Sequence, residues 1–153
     1  MKIKNYLKSP KRFDIEELIT FAIKELGVEH IEEITLMYNE KLLDKLSKDV
    51  EYCALLYSPM PNHYVLYARE VALSQYVLCH ELIHLHQYDR GDLKISEDFT
   101  KIYWKGDIFN NSIQYDQREW EIEAFSKQSK LWRKFKQMKR KQKRNEKSTN
   151  KIQ

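Results

Sequence analysis

The sequence predicts an α+β domain, a small antiparallel or mixed sheet with helices packed on it. Three observations predict it. Apolar residues recur at helical spacing in three separated stretches, and short runs rich in β-branched and aromatic residues lie between them. Only 3 Gly and 3 Pro punctuate 153 residues, with no Pro/Gly-rich linker and no internal repeat. A chain of this length has room for one modest core. The domain is therefore placed at residues 1–132, with 133–153 as a basic helical extension ending in a flexible tail.

The elements follow in order. Ile15, Leu18, Ile19, Ala22, Ile23 and Leu26 share one helix face; Asp14 is the N-cap with Glu17 three residues on, and Gly27 stops the helix. Ile31–Tyr38 reads as a first strand, and residues 40–47 as a short helix or loop. Glu51–Tyr57 and His63–Arg69 are two further strands, joined as a hairpin through a turn at Ser58–Asn62 with its two prolines. A helix from about Ser74 to Arg90 ends at Gly91. Tyr103–Phe109 forms a small hairpin around Gly106, and the last helix starts near Gln117. Leu131, Trp132, Phe135 and Met138 keep helical spacing, which carries that helix to about Lys139. Beyond it, Lys and Arg without apolar partners predict a solvated, frayed end.

Composition excludes several classes. The chain is 42% hydrophobic and 33% charged, unlike collagen-like or wholly disordered sequences. No apolar run approaches the roughly 20 residues a bilayer demands, and the basic N-terminus lacks the apolar segment of a secretory signal. Cys53 and Cys79 are too few for a disulfide framework, so the expectation is a soluble cytoplasmic protein with reduced thiols and no membrane contact. The net charge of +4 is unevenly spread. Arg133–Lys151 holds ten Lys/Arg against Glu146 alone, whereas Met1–Trp132 is net acidic. Contact with nucleic acid or acidic partners is thus an expectation for the extension only, weak, salt-sensitive and directed at phosphates.

The chemistry lies in His80-Glu81-Leu82-Ile83-His84, a complete HExxH within a predicted helix. Spacing i,i+4 places both imidazoles on one helix face, one turn apart, where they can share one ion. The intervening Glu81 is placed to take a proton from a metal-activated water. The bland alternative is a pair of packing histidines. Apolar Leu82 and Ile83, the apolar turn Tyr76–Cys79 and an acidic helix downstream favour the metal. A catalytic zinc needs a third protein ligand and an open position. A metzincin pattern fails, because Arg90 and Gln87 stand where His and Gly are required. Asp89 and Asp92 suit a helix cap or loop, which leaves the cluster Glu119-Trp120-Glu121-Ile122-Glu123.

HELIH followed by WEIEAFS resembles the gluzincin pattern, HExxH with a glutamate on a later helix. It is similar to ImmA/IrrE-type metallopeptidases, phage-encoded zincin-like proteins and minigluzincins, over roughly residues 51 to 130. The resemblance implies a zincin-like fold, a zinc cofactor and a peptidase acting on a protein or peptide in bacterial or phage cytoplasm, such as a repressor. In those families a small residue follows the ligand glutamate by three positions. Ala124 therefore selects Glu121, with Glu123 and Glu119 as alternatives. His80, His84 and Glu121 would be the metal ligands and Glu81 the general base. Phe125 departs from the family, which carries an acidic or amide residue there to orient a ligand histidine; Asp116 or Glu119 would have to fill that role, or activity would be weaker. The rival functions are a non-catalytic zinc-binding interaction domain and a nucleic-acid-associated accessory protein.

Other residues weigh less. His86 points off the ligand face. His63 opens a strand expected at the sheet edge, where an extended substrate could be added. Tyr88, Tyr103 and Tyr115 are candidate donors to an oxyanion, and Cys79 reads as a small buried hydrophobe.

Overall fold

The computed structural model describes residues 1–47, 51–110 and 112–150. Its elements run β1 (Lys2–Asn5), α1 (Ile15–Leu26), β2 (Glu33–Tyr38), α2 (Glu40–Leu46), β3 (Ala54–Met60), β4 (His63–Ala68), α3 (Gln75–Asp89), β5 (Leu93–Ile95), β6 (Lys101–Trp104), β7 (Asp107–Asn110) and α4 (Glu119–Asn150). The fold is α+β, as the sequence predicts.

Local chemistry sets the helix limits. The Asp14 carboxylate accepts from Glu17 N at 2.8 Å, and Gly27 closes α1 at φ 71, where its N–H reaches the Ile23 and Lys24 carbonyls. That left-handed conformation suits a residue without Cβ. Ser74 caps α3 through Val77 N. In the β6–β7 hairpin, Lys105 and Gly106 both take positive φ, the primed-turn geometry that matches strand twist.

One sheet has the strand order β1-β2-β4-β3. β1 pairs parallel with β2, β2 parallel with β4, and β3 antiparallel with β4. The sheet is therefore mixed. The hairpin of β3 and β4 forms as expected, but the expected edge position of His63–Arg69 is wrong. β4 lies inside, between β2 and β3, because its alternating Tyr64, Leu66 and Ala68 bury a full face of the core. The edge is β3, which tolerates Pro59 and a register shift between Tyr57 and Met60. A second sheet, β5-β6-β7, is an antiparallel meander.

α1, α3 and α4 share the main core with the first sheet. Ile15, Leu18, Ile19, Leu36, Leu66, Leu78, Leu82 and Ile83 are among its fully buried side chains. α3 is buried almost all round from Leu78 to Leu85, which explains why its sequence lacks a polar stripe. A smaller cluster, Leu93, Ile102, Trp104 and Trp120, fastens the second sheet to α4. α4 runs past Lys139 to Asn150, with residues 140–149 all exposed. Residues 151–153, the end of the expected flexible tail, lie outside the described residues. Among the described residues no helix is long and apolar enough to cross a membrane.

Candidate metal centre

α3 and α4 pack side by side and bring together residues far apart in the chain. His80, Glu81 and His84 are buried on α3, and Glu121 is buried on α4. Glu121 Oε2 lies 2.9 Å from His80 Nε2 and 3.4 Å from His84 Nε2, and the two Nε2 atoms are 3.1 Å apart. One oxygen and two ring nitrogens thus form a small triangle. Tetrahedral zinc with bonds near 2.0–2.1 Å separates its donors by about 3.3–3.4 Å, so the triangle is close to the size such an ion requires. Two imidazoles and one carboxylate also match the donor set of catalytic zinc and leave a fourth position open. The residues fit the metal that the motif implies.

The imidazoles are held by hydrogen bonds behind the triangle. Gln87, fully buried, donates from Nε2 to the Trp120 carbonyl at 2.9 Å. That bond fixes its amide orientation, so Gln87 Oε1 accepts from His84 Nδ1 at 2.7 Å. In the neutral form that a metal ligand takes, with the proton on Nδ1, His84 turns its Nε2 lone pair to the triangle. Gln128 Oε1 meets His80 Nδ1 at 2.9 Å and plays the same part there. Neither of the two carboxylates offered for this role, Asp116 or Glu119, fills it. Asp116 is exposed, and Glu119 accepts from Trp104 Nε1 at 2.8 Å. Phe125 packs its ring 4.6 Å from that of His80. No motif flags the glutamines, although each is spaced along its helix from a motif residue: Gln87 follows His84 by three positions, and Gln128 lies two turns beyond Glu121.

Glu81 stands apart from the triangle but near it: one of its carboxylate oxygens and a ring nitrogen from each histidine all lie within 4.8 Å of one another. Its Oε2 accepts the Leu56 N–H at 2.8 Å, so the carboxylate bridges α3 to the edge strand. Glu123, the rival to Glu121, points the other way and pairs with Arg90 and Lys127. Asp89 pairs with His30 and Asp92 with Arg90. His63 hydrogen-bonds the Pro61 carbonyl at the start of β4, away from the site. Among the three tyrosines, Tyr115 reaches the cluster and donates to Glu121 Oε2 at 2.8 Å. Tyr88 donates to the Leu56 carbonyl, while Tyr103 carries Lys94 over its ring.

The electrostatics follow from burial and these pairings. Burial opposes ionisation of Glu121, but the charges and hydrogen bonds of His84 and His80 outweigh it and hold the carboxyl well below its ordinary range. Burial lowers His84, and the facing Glu121 carboxylate more than reverses this, raising it to about 9. Glu81 is raised, chiefly by burial, with the two histidines opposing. Burial and then the Glu121 charge push the Tyr115 hydroxyl far up, so it remains a proton donor. Burial also drives the Cys79 thiol to about 12, which makes it chemically quiet, as the sequence suggests.

An apolar cleft of about 340 Å³ opens beside the cluster, lined by Tyr52, Cys53, Ala54, Val77, Tyr115 and Phe125, with His80 and Glu81 in its wall. The β3 edge borders it. Leu56 N–H faces Glu81 rather than β4, and alternation gives Ala54 the same outward orientation. Comparison with protein-family models, with curated proteins and with solved structures gave no match to this chain.

Proposed function

We propose that the chain is a zinc-dependent peptidase of the gluzincin type, akin to the ImmA/IrrE-type metallopeptidases. In this reading His80, His84 and Glu121 hold the metal and Glu81 is the general base. The observation that carries it is the convergence of three donor atoms from two helices, with both histidines oriented by a glutamine amide. A zinc ion bound there supplies Lewis acidity at a peptide carbonyl and acidifies a water to a pKa near 7. The Glu81 carboxylate, beside the donors and tethered by Leu56 N–H, takes the proton of the attacking water and delivers it to the leaving amine. Tyr115 steadies Glu121 by donating its single hydroxyl proton to the carboxylate. The outward main-chain groups of Ala54 grip an extended peptide beside β3, and the apolar cleft receives one of its side chains.

The test is zinc content and turnover measured on the same preparations. Wild type should carry about one zinc per chain and cleave an unfolded protein substrate. Glu121→Ala should lose the metal and Glu123→Ala should keep it. Glu81→Gln should keep zinc and lose cleavage; an active Glu81→Gln protein would sink the mechanism. Zinc retained with no cleavage by wild type would instead favour a binding domain.

A further inference from the structure

A groove of about 460 Å³ runs between α4 and the start of α1; it shares Tyr76 with the apolar cleft but holds none of the donor residues. Arg12, Lys136, Lys139, Arg140 and Lys143 line it together with the single acid Glu17. Glu17 is committed to Lys139. Among the described residues Arg12, Lys136, Arg140 and Lys143 take part in no ion pair, so four cations converge on the groove uncompensated. They come from two elements, the segment before α1 and α4 itself. Lys147 continues the stripe two turns beyond Arg140, where every described side chain of α4 is exposed. From Lys136 to Lys147 the stripe rises about 16 Å along the helix axis, with a cation about every 5 Å. Tyr76, 46% exposed, lies at the groove and offers a flat face of the kind on which bases stack.

We infer that this groove binds the sugar–phosphate backbone of nucleic acid without reading its sequence. The inference stands apart from the peptidase reading, since it uses none of the donor residues. An acidic peptide offers a similar charge, but the single-sign stripe beside an exposed aromatic ring on which bases can stack favours a nucleic-acid strand.

The experiment uses full-length protein and a fluorescein-labelled single-stranded 15-mer of deoxythymidine, followed by anisotropy from 50 to 200 mM salt. Micromolar binding is expected, with a log–log salt slope near −3, as about four phosphate contacts on a single strand require. The variant Lys136→Gln/Arg140→Gln/Lys143→Gln/Lys147→Gln should weaken binding at 50 mM salt at least tenfold and flatten the slope. Glutamine keeps helix propensity, and circular dichroism checks that it does. The charge-matched variant Lys127→Gln/Lys130→Gln/Lys134→Gln/Lys141→Gln alters the opposite side of the same helix, where Lys127, Lys130 and Lys134 line a separate pocket, and should lose less than threefold. Equal losses in the two variants, no binding at 50 mM salt, or tighter binding of a 15-residue glutamate peptide than of the oligonucleotide would each overturn the inference.

Discussion

Replacing Gln87 by Met tests the support of the candidate metal centre directly. Gln87 is fully buried and satisfied at both ends of its amide, by His84 Nδ1 and the Trp120 carbonyl. Methionine roughly keeps the volume but leaves the buried His84 N–H without a partner, while the Trp120 carbonyl keeps its bond within α4. Such an orphaned group costs about 1–3 kcal/mol, so the variant should lose about that much stability. The loss is read by urea unfolding in chelator, followed by tryptophan fluorescence. Zinc affinity, read by competition with a chromophoric chelator, should fall about 10–100-fold, because His84 is free to turn or change tautomer. Gln128→Met provides the comparison. Gln128 is only half-buried and makes one such bond, so stability should fall by about 1 kcal/mol while zinc affinity falls to a similar degree. Gln87→Met with stability within about 0.5 kcal/mol of wild type and unchanged zinc affinity would refute the reasoning.

Three further outcomes are expected. Glu123, held at about 2 by its hydrogen bonds to Arg90 and then Lys127, has a folded pKa below its unfolded value of about 4.5. Its stabilisation is present above pH 4.5 and disappears as pH falls towards 2. Glu123→Gln should therefore cost about 1–2 kcal/mol at pH 7, and the gap from wild type should close in acid unfolding below pH 3. Gly27→Ala should cost about 1 kcal/mol by thermal unfolding, because φ 71 at the end of α1 is strained for a residue with Cβ. Zinc at 100 times its Kd should add about 2.7 kcal/mol to stability, reversed by chelator, and Glu121→Ala should abolish the gain.

Much of this fold is legible in the sequence because caps and periodicity are local signals. Asp14 and Gly27 delimit α1, and Gly106 marks the β6–β7 turn. What escapes is non-local. β1 is four residues with lysines on either side of Ile3, and only its parallel pairing to β2 makes it a strand. The interior place of β4 likewise depends on β2, a partner distant in sequence. The helix past Lys139 escapes for another reason. Lys, Arg, Gln and Glu are good helix formers, and an established helix propagates through them without tertiary packing. At the candidate site, HExxH and the Ala124 spacing mark His80, Glu81, His84 and Glu121. Gln87 and Gln128 carry no such mark, since a glutamine becomes informative only when the packing of α3 on α4 reveals what its amide touches.

The placement of the second sheet also bears on how the chain can vary. The whole meander from Leu93 to Asn110 lies within the 41-residue interval between His80 and Glu121. An ion gripping both helices acts as a reversible cross-link that closes this interval into a loop. Loop-closure entropy grows only logarithmically, so doubling the excursion would cost about 0.6 kcal/mol. The meander is anchored by its own small cluster around Trp104 and Trp120. It is thus the part of the chain where length can change while the donors stay in place.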